Sequence, residues 1–363
     1  MTVTFAEKLS RLPHYEAGKN ADLVRSEHGV EELVKLNSNE CPWEPHPEVI
    51  DAIARAAKQL HRYPDQNATV LRRRIAERFD AQPGSIAVGN GSCEIILAAA
   101  EALCEPGAEI LFAWPAFSMY PFLAPLSGAR EIRVPLTDDG THDLDAMLAE
   151  ITAATQLMLI CNPNNPTATH VPAAEVGAFL ERVPDHVTVI LDEAYIEMQV
   201  NDDPDETVDF AGRFPNAVVL RTFSKIYGLA GSRVGYAICS PAFRAAVDAV
   251  RQPFSVNALA QAAASEAILH QDYIADRAAE VIVERIHVEE ALHEMGLETS
   301  DTQANFSWID LGDRDEAEVV ESLAKAGVVV RPGAGLGGPG HIRVTYGTRK
   351  ENDAFLDALR TAI

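Results

Sequence analysis

Between residues 109 and 239 the chain repeats one device five times. "EILFAW" (109–114), "QLMLIC" (156–161), "VTVILD" (187–192), "AVVLRT" (217–222) and "RVGYAIC" (233–239) are near-continuous apolar runs of strand length. A strand with one wet face alternates apolar with polar residues, whereas a strand covered on both faces does not. Such double cover comes from helices that carry the chain from one parallel strand to the next. "SCEIILAAAEALC" (92–104) and "PAAEVGAFLERV" (172–183) read as helices of this kind, the second with a proline at its start. The pattern predicts an α/β fold around a largely parallel sheet.

Beyond "RQPFSVNALAQAAASEAIL" the rhythm changes. One long Ala/Glu/Arg-rich helix is expected over about 257–295, then "NFSWIDLG", "AGVVVRPG" and "HIRVTYG" as strands, with a helix between the first two and another at the C-terminus. This reads as a smaller α+β unit. The expected division is a large unit over 41–255 and a small one made of 1–40 and 256–363. "GAGLGGPG" (333–340) reads as a flexible loop.

Charge narrows the function classes. Lys plus Arg number 30 against 54 Asp plus Glu, a net −24 that opposes binding to nucleic-acid phosphates or anionic membranes outside a local basic pocket. Cys41, Cys93, Cys104, Cys161 and Cys239 show no CxxC spacing, and two of them end apolar runs, so buried thiols are expected instead of disulfides or a metal site. No apolar run approaches the roughly 18 residues of a membrane span, and "MTVTFAEKLSRLPHYEAGKN" is too polar for a signal peptide. The expectation is a cytoplasmic enzyme with no nucleic-acid or membrane partner.

In doubly wound sheets, ligands bind outside the carboxyl ends of the strands. After one run comes "CNPNNPTA" with Asn165; after the next, "LDEAY" with Asp192 and Tyr195; after the next, "TFSK" with Lys225. Singly, these read as a turn, a helix cap and a solvated lysine. In order, they deliver an amide, a carboxylate with a phenol, and an amine to one edge. An amine among apolar neighbours loses its proton readily and can form a Schiff base with an aldehyde. A strand-end carboxylate suits a pyridinium nitrogen. A phosphate needs N–H donors at a helix start plus a cation; Gly91, Ser92 and Cys93 in "NGSCEII" offer the first, Ser224 and Arg233 the second.

With these residues in hand, the chain resembles the fold-type I pyridoxal-phosphate (PLP) aminotransferases, and within them the histidinol-phosphate and aromatic group. The likeness runs through "KLNSNE" (35–40), "RYPD" (62–65), "NGSCE" (90–94), "WPAFSMYP" (114–121), "NPNNPT" (162–167), "DEAY" (192–195), "RTFSKIYGLAGSRVGYAI" (221–238) and "IRVTYGTRKEND" (342–353). The resemblance implies a large domain on a mostly parallel seven-stranded sheet plus a smaller α+β domain. It implies that Lys225 holds PLP and shuttles the proton, that Asp192 binds the ring nitrogen, and that Tyr195 and Asn165 contact the ring's phenolic oxygen. Phe117 would stack on the ring, while Gly91, Ser92, Cys93, Ser224 and Arg233 would hold the phosphate. Tyr63 would reach the cofactor phosphate of the neighbouring subunit, making a homodimer with shared sites. Arg343 would clamp the substrate's anionic end, with Arg331, Tyr15 and Asn39 nearby. Two positions depart from the pattern: Cys93 stands where Asp or Asn is common, and Ala168 replaces the glycine of "NPTG".

The expected reaction is transamination between an amino donor and a 2-oxo acid. A lyase or decarboxylase on the same fold is the alternative; a DNA-binding regulator would need an added basic domain. Between substrates, histidinol phosphate with 2-oxoglutarate is favoured, because paired arginines suit both phosphate and carboxylate. Phenylalanine or tyrosine is the alternative.

Overall fold

The computed structural model describes residues 5–13, 21–30 and 32–363. A two-residue strand, β1 (Val34–Lys35), precedes the strands of the large sheet: β2 (Ile86–Gly89), β3 (Glu109–Trp114), β4 (Arg130–Pro135), β5 (Thr155–Cys161), β6 (Thr188–Asp192), β7 (Ala217–Thr222) and β8 (Gly235–Ile238). Their spatial order is β2-β8-β7-β6-β5-β3-β4, with β8 alone antiparallel to its neighbours. The apolar runs explain this. In β5, Met158 and Ile160 enter one hydrophobic cluster while Leu157, Leu159 and Cys161 enter another on the opposite face. Each cluster also takes in crossover helices, among them Ser92–Leu103 and Ala173–Leu180. Pro172 stands at the N-cap of the second.

The C-terminal region supplies β9 (Glu298–Thr299), β10 (Phe306–Asp310), β11 (Val328–Val329), β12 (Arg331–Pro332) and β13 (His341–Thr345). A four-stranded sheet runs β12-β13-β10-β9, and β11 instead pairs in parallel with β1. The run "VVVRP" thus divides between two sheets.

Two expectations need correcting. The stretch over 257–295 is two helices, Ala258–Ala267 and Gln271–Glu294, broken at His270 (φ −102°, ψ 56°). The break lets the alanine-rich first helix pack across helices Pro47–Ala57 and Thr69–Arg78 while the second takes its own direction. The "GAGLGGPG" segment is a built turn: Ala334–Leu336 forms one 3-10 turn, Gly338 N–H donates to Gly333 O at 3.0 Å, and Leu336 is buried. Two tryptophans grip it. A Cβ on Gly337 would lie 2.7 Å from the Trp114 indole, and one on Gly338 would lie 3.1 Å from Trp308 Cη2, so glycines allow the backbone to approach both rings this closely.

All five cysteines are free thiols, with Cys104, Cys161 and Cys239 buried. No helix among the described residues is long and apolar enough to cross a membrane.

Candidate active site

Sheet topology gathers the site. Strands β3, β5, β6 and β7 lie side by side and parallel, so the loops after Trp114, Cys161, Asp192 and Thr222 open on one edge. The reversed β8 begins there, because Gly235 pairs with both Thr222 and Gly89. Residues just before β8, including Arg233, and just after β2, including Ser92, therefore meet the same edge. Between them is a cavity of about 260 Å³.

Asp192 ends β6 and lines this cavity almost wholly buried. One carboxylate oxygen, Oδ2, accepts the Tyr120 hydroxyl at 3.0 Å; the other, Oδ1, has no hydrogen-bond partner among the described residues. Burial pushes its pKa up to about 6, against the Tyr120 hydrogen bond that holds it down. A buried carboxylate oxygen left unpaired is costly, so the position suits a cationic N–H arriving from the cavity.

Lys225, three residues beyond β7, donates from Nζ to Ser38 O at 3.3 Å, and its ammonium lies 5.5 Å from the Tyr195 ring centre. Burial first, then the neighbouring Arg343 charge, lowers its pKa from 10.5 to about 8. An amine so placed exists partly neutral near pH 8 and is nucleophilic.

The phenol of Tyr195 accepts from Asn39 Nδ2 at 3.0 Å and from Asn165 Nδ2 at 3.4 Å. Asn39 is held in turn by Thr345, with φ at 53°. The expected substrate contact at Asn39 is, in this structure, a side chain turned onto Tyr195. Asn165 Oδ1 accepts from Arg343 Nη1 at 2.6 Å, and Arg343 Nη2 donates to Asn37 O at 3.0 Å. Arg331 and Arg343 stand directly opposite each other on β12 and β13, both 6% exposed and both lining the cavity. Like charges in register repel, and an anion between them would offset that repulsion.

At the other end, Ser92 and Cys93 open a 12-residue helix, with Gly91 at its N-cap. Arg233 Nη1 donates to Ser224 Oγ at 3.3 Å. Gly91 sits at φ 73°, ψ 166°, and a Cβ there would lie 3.2 Å from Arg233 Cζ and closer still to Nη2. The helix start and the guanidinium thus nearly touch. Phe117 also lines the cavity, edge-on to Tyr120 with ring centres 5.7 Å apart. Ala168 keeps its turn without glycine: φ is 60°, and its N–H reaches Asn164 O at 2.8 Å.

Two expected residues stand apart. Tyr63 does not line this cavity; it is 83% exposed and stacks on Phe254, with ring centres 4.7 Å apart. Tyr15 lies outside the described residues. Sequence reasoning also missed participants. Tyr120 sat unremarked inside "WPAFSMYP", three residues past Phe117, and Leu336 sat inside the glycine-rich segment.

Residues 31–359 match the family described as aminotransferase class I and II, and the chain belongs to it. It is a PLP-dependent transaminase of fold type I. A histidinol-phosphate aminotransferase of Geobacillus thermodenitrificans is 41% identical, over 97% of this chain and 96% of the relative. An aromatic amino acid aminotransferase of Streptomyces coelicolor is 42% identical, over 96% and 94%. The crystal structure of histidinol-phosphate aminotransferase from Sinorhizobium meliloti, in complex with pyridoxal-5'-phosphate, superposes with a TM-score of 0.90 at 27% identity, covering 100% of this chain and 98% of that one.

Proposed function

We propose that this transaminase carries PLP on Lys225 and transfers the amino group of histidinol phosphate to 2-oxoglutarate, giving imidazole acetol phosphate and glutamate. The donor set fits the cofactor: Asp192 Oδ1 has no hydrogen-bond partner among the described residues, and Gly91 leaves room for a guanidinium against a helix start. When bound, PLP supplies an aldehyde and an electron sink. Every other task falls to the chain. Asp192 keeps the ring nitrogen protonated, while Tyr195 and Asn165 face the phenolic oxygen. Gly91, Ser92, Cys93, Ser224 and Arg233 hold the phosphate, which the helix N-terminus favours. Lys225, neutral in part near pH 8, attaches the cofactor and later moves the proton from the substrate's α-carbon.

The observation that carries the substrate reading is the in-register pair Arg331 and Arg343. Guanidinium forks match phosphate and carboxylate alike, so one pair serves both half-reactions. Phenylalanine is the second reading, favoured by the apolar wall that Phe117 and Leu336 present to the same cavity. Steady-state kcat/KM for histidinol phosphate and for phenylalanine, each with 2-oxoglutarate, separates the two. A preference for phenylalanine refutes the first reading. Borohydride reduction of the loaded protein should leave a pyridoxyl group on the Lys225 peptide, and a group on any other lysine refutes that assignment.

We also propose a homodimer in which Tyr63 enters the partner's site. The exposed, stacked Tyr63 and Phe254 rings support this, because large aromatic surface in contact with water marks an interaction site.

A further inference from the structure

Asp192 has one buried oxygen for the cofactor; the other oxygen raises the question of what fixes the carboxylate. Tyr120 is fully buried at the start of helix Tyr120–Ser127. Its ring packs edge-on against Phe112 and Phe117, both with centres 5.7 Å away. From that socket the hydroxyl reaches Asp192 Oδ2 at 3.0 Å. We propose that Tyr120 is a positioning residue for the reaction: its hydroxyl locks the Asp192 carboxylate so that Oδ1 is the oxygen left for the ring nitrogen, and it keeps that carboxylate ionised.

The inference rests on the PLP reading of the site. Three observations carry it. The two carboxylate oxygens have different fates, one bonded and one open, and Tyr120 is what distinguishes them. The aromatic socket fixes the phenol, so the bond needs little further ordering of either side chain. Tyr120 is also the better anchor chemically. Besides burial, Glu193 raises the pKa of Asp192, and Tyr120, the Ala194 backbone N–H and Lys225 lower it, Tyr120 most; Cys93, Cys161 and Tyr195 are the other titratable neighbours. Burial pushes the Tyr120 phenol far above its usual range, so it remains a donor at every working pH. Without that donor, a carboxylate already disfavoured by burial would protonate more readily, and a neutral acid holds a pyridinium poorly.

The same helix opening explains why Phe117 and Tyr120 act together. Phe117 lines the cavity where it can meet a ring face, and Tyr120, three residues on, reaches beneath it to the carboxylate. One short segment therefore governs both the face and the nitrogen of the ring.

Tyr120→Phe removes one oxygen and keeps the socket. The loaded variant should lose about 10- to 100-fold in kcat, the range for one hydrogen bond to a charged group. The acid limb of its pH–rate profile should move up by about one unit, as should the matching step in the pH titration of the cofactor's absorbance. A merely structural tyrosine would lower activity without moving either. PLP affinity adds a second arm. Tyr120→Phe should weaken binding in the wild-type background and have little effect in the Asp192→Asn background, where no carboxylate remains to be held. Equal losses in both backgrounds, or unmoved pH profiles, overturn the proposal. Should Tyr120→Phe misfold, 3-fluorotyrosine at position 120 preserves the volume and strengthens the donor. It should move the acid limb down, and an upward or absent shift overturns the proposal. Wild-type protein that takes up no PLP on Lys225 would refute the functional reading itself. Uptake with unmoved profiles in Tyr120→Phe refutes the role of Tyr120 alone.

Discussion

Gly91→Ala gives the sharpest test of the phosphate cradle, because two separate effects can be read from the structure. First, φ 73° with ψ 166° belongs to a backbone region essentially confined to glycine, so alanine there costs about 1–3 kcal/mol. That cost should appear as a lower Tm of the apoprotein. Second, the new methyl group would occupy the space of the Arg233 guanidinium, 3.2 Å from Cζ and nearer to Nη2. Among the described residues Arg233 is held by bonds of 3.3 Å to Ser224 Oγ and 3.1 Å to Ala230 O, so it should give way. Losing one charge-assisted contact to a phosphate costs about 1.5–3 kcal/mol, or roughly 10- to 150-fold in PLP affinity. Absorbance titration of the apoprotein with PLP measures this directly. Gly231→Ala is the control: no atom of the described residues lies within 4 Å of its would-be Cβ, and it should leave affinity unchanged. The decisive comparison uses Arg233→Ala as background. If displacement of Arg233 is the cause, Gly91→Ala should weaken PLP binding far less once that side chain is gone. An undiminished loss in that background, or wild-type affinity in the single variant, refutes the reasoning.

Other consequences follow from the same geometry. Lys225 titrates near pH 8 when folded and near 10.5 when not, so the unfolded chain holds the extra proton between those values. Apoprotein stability should therefore rise with pH across that window, by at most about 3 kcal/mol, and the full penalty should be present below pH 8. Lys225→Met should remove that rise; a stability gap between the two proteins that is equal at pH 7 and pH 10.5 contradicts it. Arg331→Ala should impair histidinol phosphate much more than phenylalanine, by about 30-fold or more for a lost contact of 2 kcal/mol or greater, whereas Arg343→Ala should impair both substrates and 2-oxoglutarate. Unchanged histidinol-phosphate kinetics in Arg331→Ala would remove its phosphate role. Mixing Lys225→Ala with Tyr63→Ala subunits should restore activity through hybrids that carry one intact site. Hybrids that form yet stay as inactive as their parents would show that Tyr63 does not cross the interface.

How far the chain could be read in advance depended on whether a signal was local. Strands β3, β5, β6 and β7 were visible because burial on both faces writes an apolar run into the sequence, and Asn165, Asp192 and Lys225 were visible because they punctuate those runs. The two-residue strands β1 and β9 carry no period to detect, and β11 and β12 read as one continuous strand. Nothing local shows "VVVRP" dividing between two sheets, or Arg331 facing Arg343, since both depend on partners distant in sequence. The helix break at His270 was hidden because alanine, glutamate and arginine favour helix on both sides of it. Tyr120 was hidden for the opposite reason: among Phe117, Pro121 and Leu123 it reads as one more core aromatic, and only the fold brings its hydroxyl to Asp192. The glycines of 333–340 suggested looseness, yet they are required by close approach to indole rings.

That last contact also makes the loop optically legible. The protein has three tryptophans, and two of them, Trp114 and Trp308, lie against consecutive glycines of the segment whose Leu336 lines the candidate active-site cavity. Trp308 is further stacked on His341 at 4.8 Å, and Trp114 carries the Arg133 guanidinium 4.5 Å from its ring centre. An indole's emission responds to the polarity and charge beside it. A substrate that shifts Leu336 should disturb the neighbouring glycines and so change the surroundings of two of the three tryptophans. Native emission should therefore report occupancy of the cavity, a change that a stopped-flow instrument can follow without a label.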